Sequence, residues 1–210
     1  MTETREIVVP RVTVEAAVAL DTARRFWKLY IDTFGEMSVR AVARQVLHED
    51  EFMAEMLDPR VHKYIAWDET GEAIAMCTLT NHLETVPWIS PEYFAHHYPE
   101  HTARNAVYYL GFILVSTTSR RLRLFTDMIG QVSALLAERG AVCAWDVCGY
   151  NNEVLGLSGA IETLLAHDIG EVDVEVIDTQ TYYRAFAVNP HKLPEMRRGA
   201  PEESKLGSPS

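Results

Sequence analysis

The spacing of hydrophobic residues changes several times along the chain, and each change marks an element. Phe26, Trp27, Tyr30 and Phe34 recur at helical spacing behind Asp21, which stands where an N-cap belongs, and Gly35 is placed to stop that helix. The β-branched residues before it, within 7–18, predict a first strand. Ser38 is positioned to cap a second helix carrying Val39, Val42, Val46 and Leu47. A further helical stretch holds Phe52, Met53, Met56 and Leu57 and ends at Asp58-Pro59. The pattern then turns strand-like: residues 62–67 and 72–81 form a hairpin about Asp68–Gly71, with Gly71 where a positive φ is needed. Residues 107–116 (VYYLGFILVS) are almost wholly apolar, as in a strand covered on both faces. Residues 120–139 follow as an amphipathic helix whose stripe is Phe125, Met128, Ile129, Val132, Leu135 and Leu136, with Gly140 as its stop. Then come a buried-type strand (141–148), a helix (152–166) and two strands expected to pair, 172–177 and 182–188.

This order predicts an α/β fold: a central mixed sheet with helices on both faces, whose parallel pair flanks the helix 120–139. Residues 1–188 read as one domain. Residues 81–105 interrupt it as a lid-like insertion rich in Pro, Trp, Tyr and Phe, in which Ser90-Pro91-Glu92 starts a short helix. Residues 189–210 have the composition of a disordered tail.

Composition narrows the function. A chain of 210 residues with 48% apolar content supports a full core, and a formal net charge of −11 excludes a general nucleic-acid or anionic-membrane binder. Its 3 cysteines, Cys77, Cys143 and Cys148, give no disulfide framework and read as small buried hydrophobes in a reducing compartment. The charged N-terminus lacks a signal-type apolar core, and no apolar run approaches the roughly 20 residues of a membrane span. A cytoplasmic protein is expected.

Candidate chemistry concentrates at Ser116-Thr117-Thr118-Ser119-Arg120-Arg121-Leu122-Arg123, between a buried strand and a helix. Free N–H groups at a helix start, hydroxyls and three arginines suit an anion such as phosphate. Alternatively Ser119 only caps the helix and the arginines are solvated. Neither a Walker sequence nor a dinucleotide glycine fingerprint is present. Gly111, inside the strand before this loop, marks either a bulge or a close packing beneath a helix. Asp146, mid-strand among apolar residues, is a candidate catalytic acid or a satisfied buried one. Tyr108 and Tyr109 alternate, so they point to opposite faces of this strand, each either a site residue or part of the core packing. Glu84 and His82 open the lid, where they could polarise an amine or serve only as surface. His96, His97 and His101 suggest a metal, but Pro99 breaks the helix their spacing needs and no Cys or carboxylate completes the set, so no metal is expected.

The order of elements over residues 12–186 resembles the GNAT acyltransferase superfamily. In that family the loop after the fourth strand reads Q/R-x-x-G-x-G/A and holds the pyrophosphate of acyl-CoA. Here it falls on Arg120-Arg121-Leu122-Arg123-Leu124-Phe125: Arg120 matches, while Arg123 and Phe125 replace the small residues. The resemblance implies transfer of an acyl group from a thioester, acetyl-CoA or another acyl-CoA or an acyl carrier protein, to a small-molecule amine. Gly111, Ser119, Arg120, Arg121, Arg123 and Asn152 would hold the donor. Asp146, Tyr109 and Glu84 would carry the proton chemistry, because the helix 152–166 lacks the Tyr that many family members use as acid. A non-catalytic binding or regulatory module on the same fold is the alternative, and a homodimer is a further expectation, with the lid aromatics as one candidate contact.

Overall fold

The computed structural model describes residues 11–116, 121–170 and 172–185, with Arg121 and Leu122 described by their backbone alone. Five strands form one sheet in chain order: β1 (Arg11–Glu15), β2 (Val61–Trp67), β3 (Ala73–Thr80), β4 (Val107–Val115) and β5 (Val142–Ala144). The first four are antiparallel neighbours, and β4 and β5 are parallel. The mixed sheet and its single parallel pair are those the hydrophobic pattern predicts.

Side chains alternate across the sheet and build a core on each face. On one face Ala66, Cys77, Leu79, Tyr108 and Leu110 pack with Met128, Ile129 and Val132 of α6 (Arg121–Arg139) and with Ile161 and Leu165 of α7 (Leu157–Ile169). On the other, Ile65, Met76 and Leu114 pack against Phe26 and Tyr30 of α1 (Leu20–Phe34) and Phe52 and Met56 of α3 (Glu49–Leu57). Helices therefore cover both faces. The insertion folds as a 3-10 turn (Leu83–Thr85), α4 (Pro91–His97) and α5 (Pro99–Ala103), with Leu83, Val86 and Phe94 packed on Val107, Tyr109 and Ala144. Ser90 caps α4, accepting from the Tyr93 amide, as its Ser-Pro-Glu start implies.

Several boundaries differ from the pattern. Ser38 does not cap a long second helix; its hydroxyl donates to Gly35 O at 2.7 Å, and α2 is confined to Met37–Arg40. Val39 and Val42 are exposed, so no apolar burial extends the helix beyond this turn. β5 ends at Ala144, short of the expected 148, because β4 turns away from it. The helix expected over 152–166 is a π-type turn at Tyr150–Val154 followed by α7, which starts behind Gly156 at φ 63°. The two final strands are not formed: residues 172–185 contain no strand. Val172 and Val174 do pack beside the α6–α7 core, but alternating side chains alone create no ladder without a partner edge. Residues 186–188 and the expected tail at 189–210 lie outside the described residues. The chain divides after Glu175 into two units, and the described part of the second has no regular secondary structure.

Candidate active site

The centre of the sheet contains one irregularity, and it falls at Gly111. Between β3 and β4, Cys77 faces Ile113 and Leu79 faces Leu110, so Thr78 is opposed by both Gly111 and Phe112. This is a bulge carried by β4. A Cβ on Gly111 would lie 2.5 Å from Thr78 Oγ1, closer than any side chain tolerates, while the glycine itself is exposed. The bulge that the glycine suggested is present, and its close neighbours are Thr78 of β3 and Glu55 of the helix α3.

The bulge redirects β4. Its parallel ladder with β5 comprises Val107↔Val142, Tyr108↔Cys143 and Tyr109↔Ala144, and no later β4 residue pairs with β5. Burial pushes the Cys143 thiol up to about 12, with the neighbouring Leu110 backbone amide acting in the other direction. Beyond this point β4 continues to Val115 with an open edge, and the chain after Ala144 departs from it without strand structure.

At the mouth of this opening stand Tyr109, Asp146 and Trp88. The Tyr109 hydroxyl donates to Asp146 Oδ1. Trp88 Nε1 donates to the Tyr109 oxygen at 2.9 Å and reaches Asp146 Oδ1 at 3.3 Å. Burial, then the Asp146 charge, raise the Tyr109 phenol far above its usual range, so it acts here as a fixed donor rather than a ready acid. Tyr109 is 2% exposed and Trp88 50% exposed, so the cluster runs from the sheet to the solvent. Of the two adjacent tyrosines it is Tyr109 that faces the opening, while Tyr108 packs in the α6–α7 core.

A second polar group lies on the same sheet face, under the bulge. Glu55, on the inner side of α3 between Phe52 and Met56, brings Oε1 to 3.8 Å from the position of a Gly111 Cβ. Burial raises its pKa; the Thr78 hydroxyl and the charge of Lys63 act in the other direction. Thr78, 1% exposed, has its hydroxyl oxygen closed to solvent beside this carboxylate. Lys63 of β2 is fully buried and donates to Asp58 O at 2.7 Å and Ala16 O at 3.0 Å. Burial lowers its pKa to about 8.

The remaining expected site residues are dispersed. Glu84 lies on the surface, 3.2 Å from His82 Nδ1 and 3.5 Å from Arg60 Nη1; its own backbone amide, then its histidine and arginine neighbours, lower its pKa. It is not part of the Tyr109–Asp146 cluster. Arg123 is exposed on the first turn of α6, 3.9 Å from Asp127, and Phe125 packs into the α6–α7 core. Asn152 is exposed within the π-type turn and does not cap α7, whose N-cap is Gly156. Arg121 enters α6, and Ser119 and Arg120 lie outside the described residues. His97 stacks on Tyr93 and His101 meets Tyr98, and no group of three or more potential metal ligands occurs among the described residues. No helix among them is long and apolar enough to cross a membrane.

Glu55, Thr78 and Lys63 were absent from the expected site. Glu55 and Lys63 do carry a signal: each is a charged residue on the apolar side of its element, between Phe52 and Met56 and between Val61 and Ile65. Trp88 stands out as a lid aromatic, but its pairing with Tyr109 and Asp146 leaves no local signal.

No protein-family model matches the chain, and no curated protein does. Solved structures similar to it include a tetramutant of the BH1408 protein from Bacillus halodurans, with TM-score 0.50 at 10% identity over 83% of this chain and 99% of that one. Others are the ribosomal-protein-alanine N-acetyltransferase of Brucella melitensis biovar Abortus 2308 (TM-score 0.47, 12% identity, 85% and 100% of the two chains) and the aminoglycoside 6'-N-acetyltransferase AAC(6')-Ih of Acinetobacter baumannii (0.43, 16%, 83% and 100%). Four antiparallel strands, a helical crossover to a parallel fifth, and a bulge that parts the fourth strand from the fifth give this chain the fold of the GNAT N-acyltransferase superfamily.

Proposed function

We propose that this protein transfers an acyl group from a thioester donor to an amine, with the donor's reactive end in the opening between β4 and β5. The observation that carries this reading is the coincidence of three features: the Gly111 bulge, the loss of β4–β5 pairing after Tyr109, and Asp146 held at the mouth by Tyr109 and Trp88. In the reaction the amine nitrogen bonds to the thioester carbon and the carbon–sulfur bond breaks. The amine proton passes to Asp146, and the thiolate leaves with a proton from water. Free backbone amides on the β4 edge would stabilise the oxyanion. Acyl-CoA is the expected donor, with an acyl carrier protein as the other thioester source; the arginines at the start of α6 would meet its phosphates.

The test is direct. Acetyl-CoA and longer acyl-CoAs are titrated while the melting temperature is followed, and free thiol release is measured with a panel of primary amines. Saturable stabilisation and amine-dependent thiol release are expected, with release lost in Asp146→Asn. Stabilisation by acyl-CoA without turnover would favour a binding or regulatory module. The pairing of Arg123 with Asp127 and the burial of Phe125 lean toward that second reading, since both occupy positions where phosphate-binding loops use small residues.

A further inference from the structure

β4 and the chain after β5 part like the arms of a V, and each arm carries other structure with it. On the β4 arm Phe112, the residue after the bulge glycine, has its ring 5.2 Å from that of Tyr30 in α1 and 5.9 Å from that of Phe52 in α3. α1 therefore rides on the part of β4 that has left β5, and α2 follows α1 directly. The other arm leaves β5 at Ala144 and runs to the π-type turn at Tyr150–Val154. Beyond the point of divergence the arms meet again, where the Arg40 guanidinium of α2 lies over the Tyr150 ring, 4.6 Å from its centroid. Glu36, one turn back, holds the same guanidinium through Nε at 3.2 Å and Nη2 at 2.6 Å, so its direction is set. Apolar packing does not back this contact: Val39 and Val42 beside Arg40, and Val154 and Leu155 at the end of the Tyr150 turn, are all exposed. A cation over an exposed ring biases an equilibrium by about two- to fivefold. That is enough to keep the arms together most of the time, and little enough for a ligand to part them.

We propose that Arg40 and Tyr150 form a strap across the β4–β5 seam, closed in this structure, which a molecule entering the seam has to part. Glu36 is its positioning residue. The role in access rests on reading the seam as the place of the thioester donor, whereas the strap as a link between the two arms does not.

Hydrogen exchange of the full chain, followed by mass spectrometry, reads the strap without a ligand. Arg40→Gln and Tyr150→Leu should each speed exchange of the 145–155 amides about two- to fivefold and leave β2 and β3 unchanged. Tyr150→Phe keeps the ring under the guanidinium and should stay near the wild-type rate. The double variant Arg40→Gln/Tyr150→Leu should be no faster than either single one, because both remove the same contact. Unaltered exchange at 145–155 in Arg40→Gln, effects that add in the double variant, or an equal acceleration in β2 and β3 would each overturn the strap. Stopped-flow binding of acetyl-CoA then reads access. The association rate constant should rise about two- to fivefold in Arg40→Gln and hold its wild-type value in Tyr150→Phe. An unchanged rate in Arg40→Gln overturns the strap as a gate and leaves acyl transfer standing. Absence of acetyl-CoA binding in every variant, with the exchange effects intact, removes the donor reading and leaves the strap across the seam.

Discussion

Asp146 is held by two donors from different parts of the chain, a phenol on β4 and an indole from the insertion. Tyr109→Phe removes one of them and leaves the exposed Asp146 carboxylate with the indole as its remaining donor. We expect a loss of about 1–2 kcal/mol in denaturant unfolding and a fall in thiol release of about a hundredfold, because the carboxylate loses its orientation. Lys63 gives a second residue-scale expectation, with a definite sign. Its ammonium titrates near 8 in the fold against 10.5 for a free lysine. A lysine whose folded value is depressed opposes folding while charged, so its contribution is most favourable above 10.5 and is lost as pH falls through 8. Relative to Lys63→Met, wild-type stability should therefore rise between about pH 8 and 10.5, by on the order of 3 kcal/mol, measured by urea unfolding across that range. A flat difference would mean that Lys63 is neutral or solvated in the fold.

Among the elements, β4 is the one whose geometry decides the site. Gly111→Ala places a methyl 2.5 Å from Thr78 Oγ1, and since the nearest other atoms are 3.8 Å away, this contact is the whole obstacle. The expected cost is about 1–3 kcal/mol. Thr78→Ala should relieve it, so the double variant should be more stable than Gly111→Ala alone, read by thermal unfolding in a double-mutant cycle. Additive losses would mean that the bulge itself is disturbed. The same strand shows what the sequence makes legible. Its apolar run, the hairpin before it and the α6 stripe are all local patterns, and all form where they predict. The length of β5 was not legible, because residues 145–148 are as strand-like as 142–144 and only the course of β4 takes their partner away. Asp146, Tyr109 and Gly111 could be named from their own strands. Their meeting with Trp88 and Glu55 depends on the insertion and α3, which the pattern places in order along the chain but not in space. The final strands failed for a related reason: alternation identifies residues able to enter a sheet and says nothing about an available edge.

At the scale of the whole molecule, two helical layers hold a sheet whose strands follow chain order and are antiparallel as far as β4. The described residues place Glu55, Lys63, Thr78, Tyr109 and the bulge on the α1–α3 side, while the α6–α7 side is filled by apolar packing. The second side should therefore tolerate conservative apolar exchange without loss of thiol release. Met128→Leu is expected to cost less than about 1.5 kcal/mol and to leave turnover unchanged, checked by parallel unfolding and rate measurements.

The brief β4–β5 ladder also has a consequence for how the molecule opens. Between β2 and β3 the ladder runs from Val61↔Thr80 to Trp67↔Ala73, whereas between β4 and β5 it spans Val107↔Val142 to Tyr109↔Ala144. Cooperative units with few cross-strand bonds exchange their amide hydrogens through low-energy local unfolding. The amides of 142–144 should thus exchange with deuterium well ahead of those of β2 and β3, and a molecule wedged between β4 and β5 should slow β5 without affecting the hairpin. The seam that gives a ligand room is also where the native state first comes apart.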